Sequence, residues 1–418
     1  MNEPRDTPPP AKTGRKSLSH ALATWTSVIA QHLPCLSQTQ ARVLALWSLG
    51  MVLAQACGLK TVALYLAAAL GKKEANVRQQ LREFYFEAEA KAGKQRQEVE
   101  VEGCFAHLLQ WVLQYWESQQ LALALDATSL GQRFVVLCVS VLYRGCAIPV
   151  AWVVLPACKK EEWRPHWLRL LRRLHNVVPR GIKVIVMADR GLYARWLFQR
   201  IVRLGWHPML RINVGGSFCP EGKNRFVPIK ELVPQVGAKW SGCGTAFKTP
   251  RARLRCTLLA CWEEGYQDPW LIVTDLPPEN ADVLWYGLRA WIEQGFKLTK
   301  RAGWQWQKTR MIDAERAARL WLAVAVATLW LVSVGGEAEA EIVESTVPVL
   351  VSVRTRRSGT RWRSTGIFRR GAVLVLVALL NQELLPVGRF LPEDWPTTAK
   401  IVQPSIEGGG REGREKGS

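Results

Sequence analysis

The sequence predicts a mixed α/β fold with a β-rich insertion, preceded by an all-α segment, and three observations predict it. From Leu121 onward, short aliphatic runs recur, each closed by turn residues. These runs alternate with stretches of helical period in the order three strands, helix, strand, helix, strand, and Tyr143-Arg-Gly-Cys146 reads as a hairpin turn between the second and third strands. Before Leu121 the texture is different: Ala- and Leu-rich helical patterns run from Ala21 to Ala92, broken at Pro34, Gly50 and Gly58.

Taken in order, residues 1–20 are Pro-rich and basic and are expected to be disordered. Residues 21–103 are expected to form a helical DNA-binding domain and its charged linker. Within it, Thr61 to Tyr85 reads as helix, Gly-containing turn, helix, which places Arg78, Gln79 and Arg82 on the early turns of the second helix, where a helix-turn-helix contacts bases or phosphates. Residues 104–214 form the first part of an α/β core. Its strands are Leu121–Leu125, which ends in Asp126-Ala-Thr-Ser, then Phe134–Leu142, Ala147–Leu155, Ile182–Ala188, which is closed by Asp189-Arg-Gly, and His207–Val214. A helix from Trp163 to Asn176 carries a basic face of Arg164, Arg169, Arg172 and Arg173, and a second spans Tyr193–Leu204. Residues 215–269 are Gly-rich and β-like, the insertion. Residues 270–336 return to the core with one more strand, a helix over Trp285–Lys300 and the apolar run Leu320–Gly336. Residues 337–418 form a basic C-terminal region, partly disordered, with Arg354 to Arg370 interleaving arginines and aromatics in a pattern suited to phosphates.

Composition narrows the function. The chain of 418 residues carries 56 Lys+Arg against 35 Asp+Glu, a formal charge of +21 that favours a polyanionic partner. Its 10 cysteines contain no C-x-x-C pair, which disfavours a zinc site, and they read as reduced thiols. The first residues lack an apolar leader segment. The run Leu320–Gly336 is short for a bilayer span and rich in alanine, so it is expected to be a core helix.

One stretch concentrates polar groups. At about 100° per residue, with Tyr286 at zero, Arg289 falls at about 300°, Glu293 at about 340° and Lys300 at about 320°. Trp285, Leu288, Ile292 and Phe296 fill the apolar arc that anchors the helix, and Trp291 also falls on the packing side. Gly295 is a point at which a break would swing Lys300 off the stripe. Asp126 and Asp189, at the ends of apolar strands, are readily explained if they point into a crevice at the strand ends, although each also suits a turn. Together with Glu293 they offer hard oxygen ligands suited to Mg²⁺ or Mn²⁺.

These residues resemble a DDE transposase of the IS4 kind. Leu-Ala-Leu-Asp126-Ala-Thr is similar to its first-acid motif, Val-Met-Ala-Asp189-Arg-Gly to its second, and the spacing of Tyr286, Arg289, Glu293 and Lys300 to its Y-R-E-K signature. The resemblance covers roughly residues 119–330 and implies an RNase H-like catalytic core, with the insertion at residues 215–269. It implies that Asp126, Asp189 and Glu293 are catalytic and hold a pair of Mg²⁺ or Mn²⁺ ions. It further implies that Tyr286, Arg289 and Lys300 contact DNA, and that a tryptophan, Trp240 or Trp291, stacks on an extruded base of a hairpin intermediate. The implied partners are double-stranded DNA, as transposon ends and target, and a second copy of the chain in a homodimer on DNA. No membrane is implied, and the expected location is the cytoplasm, at the nucleoid. Two other readings keep the fold: an inactive or domesticated DNA-binding protein, and an RNase H-like nuclease without strand transfer.

Overall fold

A computed structural model of the chain describes residues 12–91, 96–158, 162–344, 354–355, 361–362 and 365–397. Helices come first: α1 (Lys12–His32), α2 (Gln38–Ala54), α3 (Leu59–Leu70), α4 (Glu74–Tyr85) and α5 (Val101–Leu113). The α/β core opens with β1 (Gln120–Leu130), β2 (Phe134–Tyr143) and β3 (Cys146–Pro156), then α6 (Trp163–His175), β4 (Lys183–Ala188), α7 (Arg195–Arg203) and β5 (His207–Arg211). Next come β6 (Ser217–Pro220), β7 (Val227–Pro228), β8 (Lys239–Ala246), β9 (Leu254–Cys261) and β10 (Trp270–Thr274). The chain closes with α8 (Ala290–Lys297), α9 (Ala314–Glu344) and α10 (Ile367–Leu380).

All ten of these strands share one sheet, in the order β3-β2-β1-β4-β5-β10-β9-β8-β6-β7. The first three are antiparallel, β1, β4 and β5 run parallel, and β10 returns antiparallel to β5. This is the mixed sheet with an antiparallel hairpin opening that the order of elements predicts. The two-residue turn Arg144-Gly145, with φ of 44° and 84°, closes the β2–β3 hairpin with the twist that its strands require. The insertion extends this same sheet, because β9 pairs with the outer edge of β10 from Trp270↔Cys261 to Thr274↔Thr257. Adding strands there satisfies backbone groups that would otherwise form an exposed edge.

The second organising element is α9. Its apolar window is long enough to cross a bilayer, yet 94% of that window is buried inside the protein, as a core helix should be. An apolar circumference needs cover on every side, and α2, α4, α5, α10 and β3 supply it. Tryptophans line the contacts, several with their N–H groups satisfied, whereas those of Trp306 and Trp321 are buried without a partner among the described residues. Trp25 stacks on Trp330 at 4.1 Å and donates to Ser48 Oγ at 2.8 Å, Trp304 donates to Thr328 Oγ1 at 2.8 Å, and Trp152 donates to the Ala318 carbonyl at 3.0 Å. Buried Arg319 of α9 pairs with Glu98 at 2.9 Å and donates to the Tyr85 carbonyl at 3.1 Å, while Arg316 pairs with Glu87 at 2.7 Å. These bonds tie the C-terminal end of α4 to the core.

The helical segment and the sheet consequently share one continuous hydrophobic core. Three boundaries expected from composition differ from those observed. Of the expected disordered segment 1–20, residues 12–20 belong to α1, because the register of Leu18, Leu22, Trp25 and Ile29 extends back through Lys and Arg, good helix formers, to the last proline; residues 1–11 lie outside the described residues. The charged linker expected to end at residue 103 overlaps α5 from Val101, with residues 92–95 outside the described residues. The boundary at 336 falls within α9, and residues 367–380 form α10 against it. Part of the basic run 354–370 and all of 403–418 lie outside the described residues.

The α9–α10 crossing depends on Gly335 and Gly371. A Cβ on Gly371 would lie 1.8 Å from the Leu331 carbonyl oxygen, and one on Gly335 would lie 1.9 Å from that of Ile367. Gly371→Ala is therefore expected to lower stability by about 3 kcal/mol through overpacking, read as a fall in melting temperature by calorimetry. Gly366→Ala, where an added Cβ meets nothing within 4 Å, should be nearly neutral.

Candidate active site

Two of the acids are placed by strand register. The parallel pairing of β1 with β4 ends at Leu125↔Ala188, and Asp126 and Asp189 are the next residues on each strand. β1 itself does not stop there: it continues to Leu130, paired with β2, so Asp126 is held in a strand opposite Cys138 and is not part of a strand-ending turn. Its side chain is only 15% exposed. Asp189 does occupy a turn. Its Oδ1 accepts the backbone N–H groups of Gly191 and Leu192 at 3.0 and 3.1 Å, which leaves Oδ2 free to face the site.

The third acid arrives on a segment that winds in three ways. Val283–Arg289 is a 3-10 helix, Ala290–Lys297 is α8, and Leu298–Ala302 is a π-helical turn, where a single α-helix over Trp285–Lys300 was expected. The polar stripe survives because i and i+3 eclipse in a 3-10 helix, which aligns Tyr286 with Arg289, while i and i+4 neighbour in α8, which aligns Arg289 with Glu293. Trp285, Leu288, Ile292 and Phe296 are buried, as the helical angles predict. Gly295 does not break the helix. Its bare Cα seats α8 on β3, where an added Cβ would lie 3.0 Å from the Ala147 Cβ.

Arg289 joins the three acids. Its Nη2 donates to Asp126 Oδ2 at 2.7 Å and lies 3.6 Å from Asp189 Oδ2, and its Nη1 donates to Glu293 Oε1 at 2.9 Å. The guanidinium is 11% exposed, against 37% for Asp189 and 56% for Glu293, so the cluster has a buried floor and an open side. Burial pushes Asp126 up to about 6, and the Asp189 and Glu293 charges add to this, against the pull of Arg289 and the Ala127 N–H. Lys300, half-buried on the π turn, is pushed down by burial and by Arg301, while Asp126 opposes that shift. A π turn is a rare winding and is often found at functional sites.

Other residues expected at the site stand differently. Tyr286 is 5% exposed, its hydroxyl lies 3.4 Å from the Ala188 carbonyl and its ring meets Trp270 edge-on. It therefore braces the 3-10 turn against the end of β4 and does not present itself to DNA. Trp240 is half-buried against Phe218; its register through Ala260 and Leu271 carries it to the acids' end of the sheet, but four strands from β4. At about 4.8 Å per strand that is roughly 19 Å along the sheet. Trp291 is half-buried. Arg78 and Arg82 are exposed on α4, where Arg82 donates to Gln79 at 2.6 Å. Sequence reasoning missed a support from the C-terminal segment: Trp395 packs edge-on against Trp285 at 5.3 Å, and the Leu391 N–H donates to the Tyr143 hydroxyl. The only signal for it was a late tryptophan in a Pro-rich stretch.

Among the described residues no three acidic, His or Cys side chains form a ready-made cation site, and the compensating charge at the acids is Arg289. The donor set still suits a hard cation in kind, since three carboxylates from three elements turn oxygens toward one positive centre. Ligation by all three would require the guanidinium to yield its place. Arg289→Ala should leave these carboxylates repelling one another, so Mg²⁺ should raise the melting temperature of that variant more than that of the parent; an equal shift in both would count against a shared cation site. For Asp126, a folded value above the ordinary 3.8 means that ionisation costs stability as pH rises from about 4 to about 6. Asp126→Asn should thus be the more stable protein above pH 6, by an amount on the order of 3 kcal/mol, and the gap should close below pH 4; paired thermal melts across this range give the measurement.

Among curated proteins none matches the sequence. Among solved structures the chain is similar to a piggyBac transposase in a synaptic complex with hairpin DNA, at 9% identity and a TM-score of 0.34, over 76% of this chain and 75% of that one. Residues 119–330, half of the chain, match the family described as the transposase DDE domain, and these residues run from just before β1 into α9, enclosing Asp126, Asp189, Arg289 and Glu293. The chain belongs to the transposase DDE domain family.

Proposed function

We propose that this protein is the transposase of a bacterial-type insertion sequence of the IS4 kind, binding the ends of its element as double-stranded DNA and catalysing strand cleavage and strand transfer in cut-and-paste transposition. The observation that carries the reading is the convergence of Asp126, Asp189 and Glu293, from two strand ends and one helix, on the single guanidinium of Arg289. The IS4 assignment rests on the spacing of Tyr286, Arg289, Glu293 and Lys300.

Divalent metal, Mg²⁺ or Mn²⁺, held by the three carboxylates would supply Lewis-acid activation of an attacking oxygen and neutralise charge on the leaving one. The remaining work falls to side chains of the chain itself. Asp126, on the buried floor, must be ionised to act as a ligand, so loading weakens as pH falls through about 6. Arg289, displaced from the acids, keeps its planar fork available for a phosphate oxygen of the scissile strand. Lys300 contributes a second cation from the π turn. Tyr286 holds the signature segment to β4, so that Glu293 keeps its level with the two aspartates. Arg78 and Arg82 on α4 contact the element's end outside the site. Two ends must be paired for joint cutting, which calls for a homodimer on DNA, acting in the cytoplasm at the nucleoid.

The test uses a supercoiled plasmid carrying the coding region with its native flanks, incubated with the purified chain and Mg²⁺. Expected products are excised element and element joined covalently to target DNA. Asp126→Asn, Asp189→Asn and Glu293→Gln should each lower the cleavage rate by on the order of 10³-fold or more, with end binding retained in gel shifts. Full cleavage by the Glu293→Gln protein would sink the assignment. Cut but unjoined products would reassign the protein as a nuclease, and binding without any cutting would leave only a DNA-binding role.

A further inference from the structure

Away from the acids, α6 and α7 border a cleft of about 510 Å³, lined by Arg164, Arg169, Arg172, Arg200 and Arg203 together with Trp196. One carboxylate reaches this group. Glu102 of α5 lies 3.2 Å from Arg169 Nε and pairs at 3.3 Å with the neighbouring Arg173. Among the described residues, Arg164, Arg172, Arg200 and Arg203 have no ion-pair partner.

A basic helix face is ordinarily just solvated, but here two basic faces turn toward one groove, and like charges gathered in this way repel. Part of the set is also ordered in advance. The Arg164 guanidinium lies 5.4 Å from the centre of the Trp196 ring, and Arg200 Nε is buried without a hydrogen-bond partner. Arg164, Arg172 and Arg203 remain exposed.

Length identifies the ligand class. Arg164 and Arg172 stand eight residues apart on α6, which is about 12 Å along a helix. A duplex repeats its phosphates regularly along each strand, so a row of this length can meet more than one of them. A single small anion could meet only part of it. We propose that the α6–α7 cleft is a second contact surface for duplex DNA, in which Arg164, Arg172 and Arg203 neutralise backbone phosphates without reading sequence. α7 begins six residues after Asp189, so this surface is borne by the element that follows the second acid. The inference rests on charge and geometry and is independent of the chemistry at the acids.

Binding of the full chain to a random-sequence duplex, measured by fluorescence anisotropy over a series of KCl concentrations in EDTA, separates this proposal from catalysis. The variant Arg164→Ala/Arg172→Ala/Arg203→Ala should bind on the order of tenfold or more weakly, with a slope of log K against log salt reduced by about 2 to 3. The variant Arg164→Lys/Arg172→Lys/Arg203→Lys should keep most of the parent slope. In case the alanine variant folds poorly, arginine-selective modification of the parent protein, read by mass spectrometry, should show Arg164, Arg172 and Arg203 protected by the duplex. An unchanged salt slope in a folded variant, or no protection in the parent, overturns the proposal. So does displacement of the duplex by inorganic phosphate at matched ionic strength, which would assign the cleft to a small anion. Loss of binding to phosphatidylserine vesicles with duplex binding intact would assign it to a membrane surface.

Discussion

Three carboxylates gathered at one end of an apolar sheet repel one another, and the structure holds them together through the guanidinium of Arg289, which reaches Asp126, Asp189 and Glu293 at 2.7, 3.6 and 2.9 Å. An arginine suits this task because its planar fork offers several donors in fixed directions and stays charged when desolvated. Burial works against the Asp126 charge while Arg289 works for it, and the balance leaves that carboxyl raised to about 6. The residue that stabilises the cluster is therefore also the residue that a bound cation must replace. Under the proposed function, folding and metal loading would compete for the same oxygens.

Everything else near the site serves to bring those oxygens to one level. Parallel pairing that stops at Leu125↔Ala188 puts the two aspartates side by side. Glu293 meets them because α8 lies close on β3, with Gly295 set against Ala147, and because Tyr286 and Trp395 brace the 3-10 turn from two directions. Change of winding, from 3-10 to α to π, lets one short segment serve as brace, acid carrier and cation carrier in succession.

The same economy governs the larger architecture. α9 is apolar on its whole circumference and can be stable in water only if it is wrapped, so the N-terminal helices, β3 and α10 converge on it and form one core. This arrangement leaves the surplus of basic residues at the surface, where several fall on specific elements: Arg78 and Arg82 on α4, and the arginines between α6 and α7. A net charge of +21 is thereby divided into distinct surfaces that can meet a polyanion at different points.

Local properties were legible in the sequence because they depend on neighbours along the chain. Strand texture from Leu121, the hairpin turn at Tyr143–Cys146, the apolar arc of Trp285, Leu288, Ile292 and Phe296, and the three acids all follow from spacing and side-chain chemistry alone. Compositional breaks were poorer guides to boundaries: a Pro-rich start, a charged linker and an acidic run after Gly336 mark changes in solvent exposure, and helices continue through or begin inside all three. Tertiary structure decided what pairing across the sheet and contact between distant segments alone can decide. It set Asp126 and Asp189 level, turned Arg289 inward as the partner of all three acids, and buried Tyr286 against β4. It also kept Trp240 four strands away and laid α6 beside α7 so that two basic faces share a cleft. These outcomes depend on groups up to more than a hundred residues apart, as Arg289 and Asp126 are, and helical or strand periodicity carries no information over that distance.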